Sequence, residues 1–165
     1  NICTGSYDIP TAYLAVDGIY TNKAPGGVAY RCSFRVTEAA YFIERMIEVL
    51  AIKLGMDAAD LRVRNFIQKD QFPYQSALGW EYDSGDYQTA WDKALAAVNY
   101  AGLRAEQAER LAAFNRGETR KLIGIGLSHF TEIVGAGPVK NCDILGLGMF
   151  DSCEIKLLYI LRKNY

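Results

Sequence analysis

The chain has 165 residues, of which half are apolar and about a fifth are charged, and this composition is typical of a globular protein with a hydrophobic core. Its formal net charge of -1 argues against nucleic acid or an anionic membrane as the main partner. No apolar run in the sequence approaches the ~20 residues that a membrane-spanning helix needs.

The first predicted elements are two short strands within residues 12–22 and a glycine-containing loop over residues 26–35. A helix is predicted to follow, with Thr37 as its cap and Gly55 as its stop. The apolar residues of this helix recur at helical spacing, and they are Phe42, Ile43, Met46, Ile47, Leu50 and Leu54.

The middle of the chain is predicted to be mainly helical. Asp57 caps a short helix that runs to about Asn65, and two further helices cover about residues 87–98 and 103–115. Residues 68–85, which are rich in Pro, Gly, Tyr and Asp, are predicted to form a surface loop between them. In the third and fourth helices, the side chains expected to face the core are Trp91, Ala94, Leu95, Val98, Leu111 and Phe114.

Strands return in the last part of the sequence. Residues 121–134 alternate between apolar and polar side chains, which predicts a strand, and residues 144–149 and 154–161 are further strand candidates. Strands at both ends with helices between them indicate the α+β fold class, and we expect two parts, 1–118 and 119–165. One face of the first of these strands is expected to carry Ile123, Ile125, Leu127, His129, Thr131 and Ile133.

This predicted strand contains a glycine pair, a histidine and a glutamate that could suggest a functional site, but structural roles are expected for all of them. Gly124 and Gly126 lack a third glycine and do not open a helix, so we expect a close backbone approach or a bulge rather than a phosphate-binding loop. His129 lies on the apolar face, and we expect a packed, hydrogen-bonded histidine rather than a catalytic one. Glu132 lies on the opposite face, and a solvated carboxylate is the expected role.

The four cysteines, Cys3, Cys32, Cys142 and Cys153, are widely spaced and include no C-x-x-C pair, which disfavours a zinc or iron–sulfur site built by this chain alone. Cys32 differs from the others because it lies between Arg31 and Arg35 in a loop. Neighbouring cations favour the thiolate, which is the nucleophile and the ligand for soft ions such as Cu(I). From the residues alone, a metal-bound or reactive Cys32 and a buried inert one both stay open.

The stretch 28–35, Val-Ala-Tyr-Arg-Cys-Ser-Phe-Arg, resembles the active-site loop of the aerobic molybdenum–copper carbon monoxide dehydrogenases. In the wider molybdenum hydroxylase superfamily, the loop usually carries Arg-Gly where this sequence has Arg31 followed by Cys32. Other stretches resemble the large subunit of the same family, and these are 4–10, 20–27, 61–66, 79–85 and 130–138. Both ends of the sequence read as the interior of regular structure, so we expect a piece of that subunit.

The resemblance implies an oxidoreductase that converts CO and water to CO2. Cys32 would hold Cu(I), and a sulfide would bridge this copper to molybdenum on a molybdopterin cytosine dinucleotide. Arg31 would stabilise developing negative charge beside the reacting centre, and Phe34 would wall the substrate channel. Tyr30 and Ser33 would orient the loop at the cofactor.

The resemblance also implies partners, which are an iron–sulfur subunit and an FAD-containing flavoprotein subunit in a dimer of heterotrimers. The location would be cytoplasmic or peripheral at the inner face of the membrane. Other cofactor-binding motifs of the family and its general-base glutamate do not occur in this sequence, so the isolated chain is predicted to be inactive. Two alternatives stay open: another molybdenum hydroxylase, acting on an aldehyde or heterocycle, and a catalytically dead fragment with a structural or interaction role.

Overall fold

The computed structural model describes residues 3–19, 22 and 35–131, and these form four α-helices and a two-stranded sheet, which confirms the predicted α+β class. Within these ranges no helix is long and apolar enough to cross a bilayer. The described residues belong to one compact unit, and the domain boundary predicted after residue 118 stays a prediction. The elements are α1 (Arg35–Leu54), α2 (Ala58–Asn65), β1 (Tyr74–Gln75), β2 (Glu81–Tyr82), α3 (Tyr87–Ala97) and α4 (Tyr100–Asn115).

Several predicted features lie outside the described residues. They are the loop up to residue 34, Glu132, and the strand candidates at 144–149 and 154–161.

The first two helices follow the local signals of the sequence. Helix α1 begins at Arg35, two residues before the predicted cap at Thr37, and ends where Gly55 adopts a positive φ of 62°. In this left-handed conformation, the Met56 amide donates to the Ala51 carbonyl at 3.0 Å, which closes the helix end. Helix α2 begins as predicted, because the Asp57 carboxylate accepts the Ala59 amide at 2.8 Å.

The segment predicted as a surface loop forms a small hairpin instead. Strands β1 and β2 pair antiparallel, and the Ser76 amide donates to the Trp80 carbonyl at 2.8 Å. Trp80 and Tyr82 are buried, and the Tyr82 hydroxyl donates to the Gly5 carbonyl at 2.9 Å. Turn-forming residues dominate the composition here, but the hairpin is held by its two buried aromatic side chains.

The core lies where residues 4–9 meet α1, α2 and α3. The Asp8 amide donates to the Asn65 carbonyl at 2.8 Å and the Ile67 amide donates to the Ser6 carbonyl at 3.0 Å, so residues 6–8 form a short bridge beside α2. Removing this apolar surface from water is the main stabilising contribution to the fold. The buried cluster comprises Tyr7, Ile43, Ile47, Ala51, Ala59, Leu61, Phe66 and Trp91.

Two stretches that were predicted to form strands contain no strand among their described residues. Over residues 12–19 the chain forms no strand, and Tyr13, Val16 and Ile19 are 91%, 81% and 83% exposed. Residues 121–131 also form no strand, because no described strand pairs with them. Their predicted facing is nevertheless confirmed for the described positions, since every second residue from Ile123 to Thr131 is partly buried and the residues between are exposed.

The predicted inward faces of three helices are partly wrong. In α4, Leu111 is 50% exposed and Phe114 is 43% exposed. In α3, Trp91 is buried as predicted, but Ala94 and Val98 are exposed. In α1 the apolar residues divide into a buried stripe and an exposed one. The buried stripe contains Ala39, Ile43, Ile47 and Ala51, and the exposed stripe contains Phe42, Met46 and Leu50.

Candidate functional site

The five predicted site residues, from Tyr30 to Phe34, lie outside the described part of the chain. The described structure resumes with α1 at Arg35, three residues after Cys32, so the helix predicted to follow this stretch is confirmed.

A buried carboxylate holds α1 against three distant parts of the chain. Glu44 is 5% exposed, and one of its oxygens accepts a short hydrogen bond from the Tyr7 hydroxyl. Its other oxygen accepts the Arg62 Nε at 2.9 Å and the His129 backbone amide at 3.0 Å. Glu44 thus joins the N-terminal segment, α2 and the segment after α4 on one side chain.

Arg62 is the cation that balances this carboxylate. It is fully buried, and its Nη1 lies 3.0 Å from a Glu48 carboxylate oxygen and donates to the Ala58 carbonyl at 3.0 Å. Its Nη2 donates to the Leu127 carbonyl at 2.8 Å, and the guanidinium carbon lies 5.7 Å from the centre of the Trp91 ring. A buried charge with this many partners is satisfied, whereas removing one partner would leave an uncompensated charge.

His129 is packed among rings, as predicted. Its ring centre lies 4.7 Å from that of Phe66, 5.1 Å from that of Tyr87 and 5.9 Å from that of Trp91. The Nδ1 atom is hydrogen-bonded to the Ser6 hydroxyl oxygen at 2.9 Å. His129 thus connects two sets of hydrogen bonds. Its backbone amide donates to Glu44, and its ring bonds the Ser6 hydroxyl, which is also hydrogen-bonded to the Thr131 hydroxyl at 3.0 Å.

Burial and the neighbouring charges fix the protonation of this network. Burial, followed by the charge of Arg62, lowers the pKa of His129 to about 4, so the ring is neutral at pH 7. Burial and the hydrogen bond to Glu44 raise the pKa of the Tyr7 hydroxyl well above its usual range. Burial alone would lower the pKa of Arg62, but the charge of Glu44 and further contacts outweigh it, and the pKa is raised.

Sequence reasoning did not identify Glu44 or Arg62 as functional candidates. The local signal that points to Glu44 is its position directly after Ile43, at the edge of the buried apolar stripe of α1. Arg62 directly follows Leu61 in a short helix, and its burial depends on tertiary contacts that no local pattern shows.

An apolar groove of about 400 Å³ lies between α3, α4 and residues 123–128. Gly124 and Gly126 line it, and no other part of the described structure comes within 4 Å of where a Cβ would stand on either glycine. The predicted close backbone approach at these glycines is therefore not observed. The side chains that line the groove are mainly apolar and offer no set of charged groups for catalysis.

The described residues contain no group of three or more His, Cys, Asp or Glu side chains that could hold a metal ion. Cys3 is a free, half-buried thiol within this part of the chain. The sequence candidate Cys32 lies outside these residues. The described structure resumes three residues after it along the chain, with helix α1.

Comparison with known proteins shows which family the chain is related to. Residues 1–66, which include Cys32, match the model of the molybdopterin cofactor-binding domain. The chain is 69% identical over 132 residues to the carbon monoxide dehydrogenase large chain of Afipia carboxidovorans, with 80% of this chain and 16% of that protein covered. It is 66% identical over 132 residues to the large chain of Hydrogenophaga pseudoflava, with the same coverage.

A solved structure described as a Cu,Mo-CO dehydrogenase in its carbon monoxide reduced state is similar to this fold, with a TM-score of 0.81 and 70% identity. The match covers 90% of this chain and 19% of that one. The chain thus spans about one sixth of the relatives that it matches in sequence. The resemblance that the active-site loop indicated is confirmed, and the chain belongs to the family of carbon monoxide dehydrogenase large chains.

Proposed function

We propose that this chain is part of the catalytic subunit of an enzyme that oxidises carbon monoxide. The reaction takes CO and H2O to CO2, two protons and two electrons. The observation that carries the proposal is a thiol at Cys32, within the matched molybdopterin cofactor-binding region, in a chain 69% identical to a carbon monoxide dehydrogenase large chain.

The chemistry of the donor set fits a copper ion at Cys32. Cu(I) prefers soft thiolate and sulfide ligands and accepts few of them, so one cysteine from the protein and one sulfide from the cofactor are sufficient. Arg31 and Arg35 flank this cysteine in sequence and favour its thiolate form. When bound, copper supplies a soft site for CO, and molybdenum on molybdopterin cytosine dinucleotide supplies the two-electron redox centre.

The other residues of the loop act on the substrate and its surroundings. Arg31 places a permanent cation where negative charge develops, which stabilises that charge more strongly in a site closed to water. Phe34 walls the channel, so that a small apolar molecule enters and bulk water is excluded. Tyr30 and Ser33 hold the loop in its orientation at the cofactor. The helix that receives this loop, α1, is anchored through Glu44.

The proposal extends to the assembly. Electrons leave through an iron–sulfur subunit and an FAD-containing flavoprotein subunit, and the complex is a dimer of heterotrimers. It is located in the cytoplasm or peripherally at the inner face of the membrane.

The experiment that tests the function is a measurement of copper and molybdenum in the complete native complex by elemental mass spectrometry. We expect about one copper per molybdenum in the wild type. The Cys32→Ser variant should lose copper and CO oxidation and keep molybdenum, because a hydroxyl is a poor ligand for Cu(I).

Cys3→Ser is the matched control, since it removes a described free thiol that is not part of the stretch 28–35, and it should keep both metals. Full copper retention in Cys32→Ser would contradict the assignment of this residue. Molybdenum without copper in the wild type, unchanged after reconstitution with Cu(I) and sulfide, would favour a hydroxylase of aldehydes or heterocycles.

A further inference from the structure

A chain of four hydrogen-bonding side chains runs from His129 to helix α3. The Nδ1 atom of His129 is hydrogen-bonded to the Ser6 hydroxyl oxygen at 2.9 Å, and this oxygen is hydrogen-bonded to the Thr131 hydroxyl oxygen at 3.0 Å. The Thr131 hydroxyl in turn donates to the Tyr87 hydroxyl oxygen at 2.8 Å. Ser6 is fully buried and the other three residues are partly buried, so these bonds form away from bulk water.

The number of hydroxyl hydrogens fixes the direction of every bond in this chain. A hydroxyl group carries one hydrogen, so a hydroxyl that donates to one partner accepts from its other partners. Because Thr131 donates to Tyr87, the hydrogen between Ser6 and Thr131 belongs to Ser6. Because Ser6 donates to Thr131, the hydrogen between His129 and Ser6 belongs to Nδ1 of the ring.

The charged and titratable groups around the ring are consistent with this direction. Glu44 of α1 accepts the backbone amide of His129 at 3.0 Å and the hydroxyl of Tyr7, and it does not bond the ring. The guanidinium of Arg62 in α2 has donors and no acceptor. Burial, followed by the charge of Arg62, lowers the pKa of His129 to about 4. At pH 7 the ring therefore carries a single hydrogen, on one of its two nitrogens.

We infer that Tyr87, acting through Thr131 and Ser6, holds His129 as the tautomer with its hydrogen on Nδ1 and its lone pair on Nε2. Tyr87 is a positioning residue, because two other hydroxyls separate its own hydroxyl from Nδ1. In acid, an added proton binds Nε2, so the hydrogen bond from Nδ1 to Ser6 is kept in both protonation states of the ring. The inference involves neither copper nor molybdenum, so it does not depend on the proposed function.

The test is neutron diffraction from crystals of the complete enzyme exchanged into D2O near neutral pH, because neutrons locate the hydrogens that X-ray structures at ordinary resolution do not show. In the wild type we expect deuterium on Nδ1 of His129 and none on Nε2. Tyr87→Phe keeps the aromatic ring and removes the hydroxyl that accepts from Thr131. Thr131 is then free to donate to Ser6, and Ser6 to the ring, so deuterium should be shared between the two ring nitrogens.

Tyr74→Phe is the matched control. It also removes a phenol hydroxyl, but this hydroxyl donates to Asp8 and is not part of the chain, so deuterium should stay on Nδ1 alone. If the Tyr87→Phe enzyme does not assemble, Thr131→Val interrupts the same chain and should likewise place deuterium on both nitrogens. Deuterium on Nε2 in the wild type, or an unchanged distribution in the variant that breaks the chain, would overturn the inference.

Discussion

At the scale of single residues, His129 shows how a titratable side chain can serve structure. Its ring is surrounded by Phe66, Tyr87 and Trp91, and its Nδ1 is hydrogen-bonded to Ser6. The charges nearest to it are the cation of Arg62 and the carboxylate of Glu44, which accepts its backbone amide. Protonation of the buried ring would place a second cation beside Arg62, so the neutral form of the ring is favoured.

The titration of His129 gives a prediction about stability and pH. Its pKa is lowered from 6.5 to about 4 in the folded chain, so below pH 6.5 the unfolded state takes up a proton that the folded state does not. The neutral, buried ring therefore makes a contribution to the free energy of unfolding that is complete above pH 6.5 and is lost as the pH falls towards 4. After allowance for solvent screening, this contribution is about 1–2 kcal/mol.

The variant that tests this is His129→Phe, which keeps an aromatic ring among the aromatic neighbours and cannot be protonated. The thermal unfolding midpoint of the complete enzyme should decline less steeply between pH 6.5 and 4 in the variant than in the wild type. All other titratable groups are common to the wild type and the variant, so the difference between the two slopes reports His129. Equal slopes would show that folding does not change the pKa of the ring.

The residues of the site differ in how far the sequence predicts them. Cys32 and its neighbours form a continuous stretch, so a local pattern is sufficient to identify them as candidates. The hydrogen bonds of Glu44 form a junction with Tyr7, Arg62 and His129, which lie 37, 18 and 85 positions from it in the sequence. Each of these residues is unremarkable in its own stretch of sequence. A burial that depends on three separate segments has no local signature, and this is why the junction was missed.

At the scale of elements, the helices were predictable and the strands were not. A helix satisfies its backbone within its own segment, and its caps are local, as Asp57 and Gly55 show. A strand needs a partner from elsewhere in the chain. Residues 121–131 have the alternation of a strand, and their alternate side chains face the predicted way, but no described strand lies beside them. The hairpin was missed because Pro and Gly in 68–85 indicated a loop.

Helix α2 gives a prediction at this scale. Asp57 accepts the Ala59 amide at 2.8 Å and the Tyr100 hydroxyl at 3.0 Å, and it pairs with Arg104 Nε at 3.0 Å. Asp57→Ala removes a helix cap together with the link between α2 and α4. We expect a loss of about 1–2 kcal/mol in local stability from the cap alone.

Hydrogen exchange of the α2 amides measures this loss directly, and their protection should fall by roughly 5- to 30-fold. Asp92→Ala is the matched control, because this exposed carboxylate of α3 bonds Gln88 on its own helix, and its removal should change protection within α2 by less than about twofold. Equal losses of α2 protection in both variants would show that the Asp57 contacts do not hold the helix.

At the scale of the whole molecule, large apolar side chains meet water in the described structure. Tyr13, Val16 and Ile19 are almost fully exposed, and the second stripe of α1 and two inward-predicted residues of α4 are about half exposed. The chain also spans about one sixth of the length of its sequence relatives. A catalytic centre that needs a bound cofactor is therefore not complete in the residues that this sequence provides.

The last prediction is that the purified chain 1–165 oxidises no CO by itself. The described residues hold no group of three or more potential metal ligands, and a single thiol with one sulfide does not retain molybdenum, which needs a bound pterin. The measurement is CO-dependent reduction of an electron-accepting dye, with the complete complex assayed at equal molar concentration as the positive control. The complex should reduce the dye, and the isolated chain should give the rate of the buffer alone. Dye reduction above that background by the pure chain, with CO and not under nitrogen, would mean that the residues of this sequence are sufficient to hold the cofactor.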